Sequence, residues 1–244
     1  MSTRLFPALL ATFGLLGLTA GCASQPGAGD AMTGSGGSEL AQTLSNPNRP
    51  QADRARDADR KPAQLMEFLG VQPGMTALDV IAGGGYMTEV LSAAVGSKGK
   101  VYSQNPPVLF QIREAYKAEV EARHANGRLP NTVRVDADLP ASSAVPPGSV
   151  DVAITALNFH DVYNNNAALA QTFMKGVYGI LKPNGVFGVI DHVGVEGANN
   201  AQLHRVPKQA AIDAARAAGF VVEAESSLLA HPADDHTKVV FDPG

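Results

Sequence analysis

The chain has 244 residues, a formal net charge of −4 and no clustered run of Lys and Arg, which argues against nucleic acid as its main partner. Cys22 is the only cysteine, which excludes an internal disulfide, and 45% of the residues are hydrophobic, enough to build a folded core.

The first 22 residues have the order of an export signal. Arg4 supplies a positive charge, residues 5–18 form an apolar run too short to span a bilayer, and small residues precede Cys22. Residues 18–22 (LTAGC) resemble a bacterial lipobox, in which the cysteine is lipidated. The sequence therefore predicts a signal peptide over residues 1–22, lipidation at Cys22, and an exported lipoprotein that is anchored to a membrane and faces the periplasm. A plain secreted protein is the alternative.

Two further regions follow the predicted signal. Residues 23–50 are rich in Gly, Ser, Ala and Asn and have few large apolar side chains, which predicts a flexible tether. Residues 51–244 have the length of one α/β domain and show no internal repeat. We expect a single folded domain over this range.

Within the domain, short β-branched runs alternate with amphipathic stretches. This alternation predicts a doubly wound, mostly parallel α/β sheet with helices on both faces. Helices are predicted over residues 62–69, 86–95, 108–125, 167–181 and 208–218, and strands over residues 76–81, 99–103, 132–135, 149–156, 185–190 and 220–226.

Polar residues follow several of the predicted strands, at the edge where ligands bind in such sheets. The first strand carries Asp79 and is followed by the glycines Gly83, Gly84 and Gly85, the third by Asp136 and Asp138, the fourth by Asn158, His160 and Asp161, and the fifth by Asp191 and His192. Consecutive glycines between a strand and a helix are typical of a nucleotide-type cofactor loop, although an ordinary strand-to-helix turn has the same pattern.

Several motifs resemble those of class I S-adenosylmethionine-dependent methyltransferases, and in particular a bacterial group of predicted methyltransferases. They are RKP at 60–62, FLGVQPG at 68–74, Asp79 with GGGY at 83–86, NFHD at 158–161, VIDH at 189–192 and LHR at 203–205. The resemblance covers nearly all of residues 51–244. It implies a Rossmann-like methyltransferase sheet and S-adenosylmethionine as the cofactor.

Carried onto this sequence, the resemblance implies a cofactor site around the glycines. Gly83 and Gly85, with Gly84 between them, would pass close to the methionine portion, and Asp79 would orient the loop. The remaining expected cofactor contacts are Tyr86, Gln104, Asp136 or Asp138, and Asn158.

The sequence departs from the family pattern in two places. Ile81 stands where the family's first loop glycine is usual, and Ser103-Gln104-Asn105 stands where an acidic residue normally binds the ribose. An amide there lacks the strength of a charge-assisted hydrogen bond. Tyr86 has a core aromatic role as its alternative.

The acceptor side is predicted at the ends of the fourth and fifth strands. His160 is the candidate base, since imidazole titrates near neutral pH, with a structural pairing to Asp161 as the alternative. Asp191 and His192 are expected to orient the acceptor or assist the base. Asp161, Asp191 and His192 also form a candidate divalent-metal set, with His160 or His204 as additional ligands. His204 and Arg205 are candidate substrate-binding residues. For Arg205 the alternative is a structural role, in which it caps a carbonyl or pairs with a surface acid.

The sequence thus predicts a methyltransferase acting on a small molecule. The alternative is a lipid-anchored, non-catalytic binding protein on the same scaffold. Relatives continue beyond residue 242 into a last strand, so we expect this strand to be missing from the sheet or replaced by residues 238–241.

Overall fold

The computed structural model describes residues 35–139 and 144–241, and within them it contains a five-stranded sheet in the order β3-β2-β1-β4-β5. All neighbouring strands are parallel. The strands are β1 (Thr76–Val80), β2 (Lys100–Asn105), β3 (Thr132–Asp136), β4 (Val150–Ala156) and β5 (Leu181–Ile190). The predicted doubly wound α/β fold is confirmed, and its central strands are apolar because helices cover both faces of the sheet.

Helices flank the sheet on both sides. They are α1 (Ser35–Leu44), α2 (Gln51–Arg60), α3 (Pro62–Phe68), α4 (Tyr86–Val95), α5 (Pro107–Ile112), α6 (Glu114–His124), α7 (Phe159–Asn165), α8 (Ala167–Ile180), α9 (Asn200–Leu203) and α10 (Lys208–Ala217). Side chains of α1, α3 and α4 form one buried cluster with the sheet. Those of α7, α8 and α10 form or pack against the other. A short parallel pair, β6 (Val193–Gly194) and β7 (Val206–Pro207), follows β5.

The predicted elements agree with the structure except in two places. The helix predicted over residues 108–125 is two helices, α5 and α6, separated at Arg113, whose φ of −134° and ψ of 81° are not helical. Residues 220–226, predicted as a strand, are not in a strand, and neither are residues 238–241. β5 is therefore one of the two edge strands of the sheet, β3 being the other. Residues 186–193 line one side of a groove of about 770 Å³, and Phe220 and residues 222–230 line another.

The structure also differs from the predicted flexible tether over residues 35–50. Ser35–Leu44 is a helix, and Leu44 is 2% exposed within the α3 and α4 cluster. Leu40 packs against the same cluster, four residues earlier and so on the same helix face. The apolar face of α1 is too narrow to stand out in a segment rich in small residues.

The predicted signal peptide, Cys22 and the first part of the predicted tether lie outside the described residues. Among the helices of the described ranges, none has the length and apolar character needed to cross a membrane.

Candidate active site

The glycine loop follows β1 and turns the chain sharply into α4. Gly83 and Gly85 have φ values of 57° and 85°, in the left-handed region that glycine adopts without strain. Ile81 has a φ of 55°, and for a β-branched residue this region is strained. The loop therefore keeps a left-handed turn at the position where the family normally has a glycine.

Asp79 anchors the helix behind the loop. Its carboxylate accepts a hydrogen bond of 2.7 Å from the Thr88 hydroxyl, which also lies 2.9 Å from the Ser103 hydroxyl. Burial raises the pKa of Asp79 to about 6, against the opposing effect of the Thr88 hydrogen bonds. The side chain thus fixes the first turn of α4, consistent with the orienting role that the resemblance implies.

Two amide side chains at the end of β2 form hydrogen bonds to the glycine loop. Gln104 accepts from the Ile81 N–H at 3.1 Å and donates to the Ala137 carbonyl at 2.7 Å. Asn105 accepts from the Gly83 N–H at 2.9 Å and donates to the Gly83 carbonyl at 3.1 Å. Both amides, expected near a ribose, are bonded to backbone. Shaping the loop is their role in this structure.

Helix α6 packs against the glycines from one side. A Cβ at Gly84 would lie 1.8 Å from a Glu119 carboxylate oxygen, and one at Gly85 would lie 2.8 Å from Arg123 Cδ. At Gly83 the nearest atoms belong to the Tyr116 ring, 3.5 Å away. Gly85 therefore has a structural reason beside any cofactor, because its φ is positive and the buried Arg123 side chain lies against it, whereas at Gly84 the flexible Glu119 carboxylate could move aside. The positions of Tyr116, Glu119 and Arg123, at i, i+3 and i+7, place them on one helix face, but the sequence does not show what that face contacts.

Tyr86 begins α4 and lies under helix α2. Its hydroxyl donates to Asp57 at 2.7 Å, and the guanidinium carbons of Arg56 and Arg60 lie 4.9 and 4.7 Å from the centre of its ring. Burial and Asp57 raise the pKa of Tyr86. Of the two roles predicted for Tyr86, the structure shows the packing role.

The remaining predicted cofactor residues lie around the same edge of the sheet. Asp136 is exposed and accepts from Arg134 Nε at 2.9 and 2.8 Å, and Asp138 is exposed. Asn158 donates to the Ile81 carbonyl at 2.9 Å, which joins the loop after β4 to the glycine loop.

His160 lies at the start of α7 and is 3% exposed. Its Nδ1 is 2.6 Å from Asp191 Oδ1, and its backbone N–H donates to Asp191 Oδ2 at 2.8 Å. Asp191 also accepts from the His192 N–H at 2.7 Å. Burial lowers the pKa of His160, but the hydrogen bond and charge of Asp191 outweigh it and raise that pKa overall. In the neutral imidazole, the proton on Nδ1 points to Asp191 and the lone pair is on Nε2.

Asp161 and His204 lie at the Nε2 side of this imidazole. Asp161 Oδ1 is 3.3 Å from His160 Nε2 and 3.2 Å from His204 Nδ1. Each of these residues offers one ligand atom within 4.8 Å of those of the other two, and in the described part of the chain this is the group close enough to share an ion. We call His160, Asp161 and His204 the histidine cluster.

The predicted metal set of Asp161, Asp191 and His192 is not brought together. Asp191 lies on the opposite, Nδ1 side of His160, and the His192 ring centre is 6.2 Å from that of His160. Burial lowers the pKa of His192, which keeps its imidazole neutral.

Arg205 has a structural role. Its guanidinium donates to Asp234 at 2.8 and 2.9 Å, to the Lys238 carbonyl at 3.0 Å and to the Val193 carbonyl at 3.0 Å. Through these bonds Arg205 anchors residues 234–238, and its side chain is buried, with 3% of the residue exposed. The structure therefore shows the structural role of Arg205. Its neighbour His204 is the residue that reaches the cluster.

A row of contacts joins the glycine loop to the histidine cluster. Tyr116 lies over Gly83, and Arg113 Cζ is 5.8 Å from the Tyr116 ring centre and 6.0 Å from that of Phe241. The Phe241 ring is in turn 4.9 Å from the His204 ring. The two predicted halves of the site therefore border one surface at the carboxyl edge of the sheet. Sequence reasoning missed Arg113, Tyr116 and Phe241, because the contacts of Tyr116 with Gly83 and of Phe241 with Arg113 and His204 join residues that are distant in sequence.

The glycine loop has the features that the resemblance implies for S-adenosylmethionine binding, namely left-handed turns at Gly83 and Gly85 followed by the N-terminus of α4. The ribose position fits less well, because it offers neutral amides that already bond to the loop.

Known proteins that resemble this chain have the same type of parallel α/β fold. Residues 46–133 match the model of the protein-L-isoaspartate (D-aspartate) O-methyltransferase family. A SAM-dependent methyltransferase from Aquifex aeolicus is 21% identical, with a TM-score of 0.53 over 75% of this chain and 87% of that one. The [4+2]-cyclase SpnF is 18% identical, with a TM-score of 0.52 over 75% of this chain and 67% of that one. No curated protein matches the sequence significantly. The chain therefore has the fold of the class I S-adenosylmethionine-dependent methyltransferases, and residues 46–133 match one of their families.

Proposed function

We propose that this protein is an S-adenosylmethionine-dependent methyltransferase that acts on a small-molecule acceptor. The observation that carries the proposal is the placement of a left-handed glycine loop and a histidine cluster on one surface, joined through Tyr116, Arg113 and Phe241. Parallel α/β sheets bind ligands at this edge. SpnF shows that the fold alone does not assign methyl transfer, so the proposal depends on the site.

Gly83, Gly85 and the N-terminus of α4 would hold the cofactor, and Asp79 positions them through Thr88. Asp136 or Asp138 would lie near the adenine. When bound, S-adenosylmethionine supplies an electrophilic methyl group, which moves to a nucleophilic acceptor atom and leaves S-adenosylhomocysteine. Because Gln104 and Asn105 are uncharged, we expect micromolar affinity rather than the tighter binding of a carboxylate at the ribose.

His160 acts on the acceptor side as a base when its Nε2 is free. Asp191 holds Nδ1 and the backbone N–H of His160, which fixes the direction of the Nε2 lone pair. Nε2 would accept the proton that an oxygen or nitrogen acceptor gives up during methyl transfer. Asp161 then faces the imidazolium that forms, at 3.3 Å.

The N-terminal part of the proposal rests on the sequence alone. Export through the signal at residues 1–22, with lipidation at Cys22, would place the enzyme outside the cytosol and on a membrane. No observation on the described residues favours a non-catalytic binding protein over the enzyme.

Calorimetric titration of the full chain with S-adenosylmethionine and S-adenosylhomocysteine tests the proposal. We expect micromolar binding of both, and at least a ten-fold loss in Gly83→Val, because a branched side chain enters the loop. Gly127→Val is the matched control, since Gly127 has a similar φ of 66° and no atom within 4 Å of an added Cβ. Failure of the unmodified chain to bind either ligand, or equal binding by both variants, would contradict the proposal.

A further inference from the structure

We propose that His160, Asp161 and His204 bind a divalent transition-metal ion, with Asp191 as the positioning residue. The ligand atoms are His160 Nε2, a carboxylate oxygen of Asp161 and His204 Nδ1. This inference goes beyond the proposed methyl transfer and does not depend on it.

The distances within the histidine cluster suit a shared ion. Ligand atoms bonded to one ion at about 2.1 Å lie about 3.0 to 3.5 Å apart in tetrahedral or octahedral geometry. Asp161 Oδ1 lies 3.3 Å from His160 Nε2 and 3.2 Å from His204 Nδ1. Each of the three residues offers a ligand atom within 4.8 Å of those of the other two. Two of the three ligand-atom separations are therefore already in the range that a shared ion requires.

Asp191 provides the second observation. A metal-binding histidine usually donates its other ring N–H to a carboxylate, which fixes the tautomer and the ring orientation. Asp191 takes this position at 2.6 Å from His160 Nδ1, and its other contacts are the backbone N–H groups of His160 and His192. With three donors on one carboxylate, His160 has little freedom to rotate, and its Nε2 is directed toward Asp161.

The backbone at His204 is the third observation. His204 caps the short helix α9 with a φ of 54° and a ψ of 48°, a left-handed conformation that is uncommon for residues other than glycine. This conformation accompanies the approach of His204 Nδ1 to Asp161, while Phe241 packs against the imidazole from the side.

The ligand types narrow the choice of ion. Two imidazoles and one carboxylate suit Zn²⁺, Mn²⁺ or Fe²⁺, whereas Mg²⁺ and Ca²⁺ prefer oxygen ligands. The side chains of Asp161 and His204 are 65% and 35% exposed, so further coordination positions are open to solvent or to an acceptor. A bound ion would take Nε2 as a ligand and would lower the pKa of a coordinated acceptor hydroxyl. Without one, Nε2 is free to take the proton itself.

The test is metal titration of the full, tag-free chain after dialysis against a chelator. We expect Zn²⁺ and Mn²⁺ to bind with one ion per chain, measured by calorimetry and by elemental analysis of the dialysed complex. Asp161→Asn and His204→Ala should each weaken binding at least ten-fold, and Asp191→Asn about 10- to 100-fold. Far-UV circular dichroism checks folding, which we expect to be intact because Asp161 and His204 are partly exposed.

His231→Ala is the matched control, since His231 is exposed and lies outside the histidine cluster. The proposal is overturned if neither metal binds at micromolar concentration, or if His204→Ala and Asp161→Asn bind as tightly as His231→Ala. Binding of S-adenosylhomocysteine measured in chelator reports separately on the proposed methyltransferase. The failure of one proposal is thus distinguishable from the failure of the other.

Discussion

His160 lies between two carboxylates with different surroundings. The Asp191 side chain is 6% exposed and its oxygens accept three N–H donors, whereas that of Asp161 is 65% exposed and faces His204. A buried carboxylate with fixed donors orients its partner, and an exposed one remains available to a ligand. We therefore expect a ligand to be bound on the Asp161 side of the imidazole, at Nε2.

The buried carboxylate of Asp79 should make stability depend on pH. Its pKa is about 6 in the folded chain, against about 3.9 in an unfolded one. The folded state then retains a proton that the unfolded state releases, so this contribution to the free energy of unfolding is lost as pH rises from 4 to 6. The loss is on the order of 2 to 3 kcal/mol.

Asp79→Asn removes the titrating group with little change in shape. We expect the free energy of unfolding of Asp79→Asn, relative to the unmodified chain, to rise between pH 4 and pH 7. Urea denaturation at several pH values measures this difference. Asp59→Asn, at an exposed position, controls for the loss of one negative charge. A relative stability that does not change with pH would show that burial of Asp79 has no such effect.

Residue types and strand ends predicted His160, Asp161 and Asp191, because polar residues at this edge of a parallel sheet converge on one place. The same reasoning could not separate His204 from Arg205 as the residue that reaches the site. Arg205 bonds to Asp234 and to the Lys238 carbonyl, and these partners are 29 and 33 positions away in the chain. Contacts at such separations have no local sequence signal.

At the scale of elements, helices α2 and α6 are joined to the glycine loop through Arg123. This buried guanidinium donates to Asp53 of α2 at 2.8 Å and to the Gly84 carbonyl at 2.8 Å, and it also pairs with Glu89 of α4. The sequence of α2 suggests a solvated, highly charged helix, but Asp53 is 3% exposed. The charge network fixes the loop's position between two helices.

Removal of Arg123 should be strongly destabilising. Arg123→Ala leaves Asp53 and Glu89 buried with fewer positive partners, and breaking such a buried network costs about 3 to 5 kcal/mol. Lys208→Ala, which removes an exposed ion pair with Glu225, should cost no more than about 1 kcal/mol. Urea denaturation of both variants measures the difference. Equal costs would mean that the Arg123 network adds no more to stability than a surface pair.

At the scale of the whole molecule, the parallel sheet is predictable because buried strands are short apolar runs between helical stretches. Residues 220–226 have the same composition but do not pair with β5, and a groove of about 770 Å³ lies between them. Strand formation needs a neighbour at hydrogen-bonding distance, which composition cannot reveal. Helix α1 is the reverse case, a helix in a segment whose composition does not predict one. Its narrow apolar face, Leu40 and Leu44, is stabilised by packing on α3 and α4.

The central claim is that the glycine loop and the histidine cluster border one cofactor and acceptor site. Hydrogen exchange of the full chain, followed by mass spectrometry with and without S-adenosylhomocysteine, tests it most directly. The account predicts slower exchange in residues 81–88 and in residues 158–163, the segments that carry the two halves of the site. Slower exchange confined to the groove beside β5, or no change on adding ligand, would contradict it.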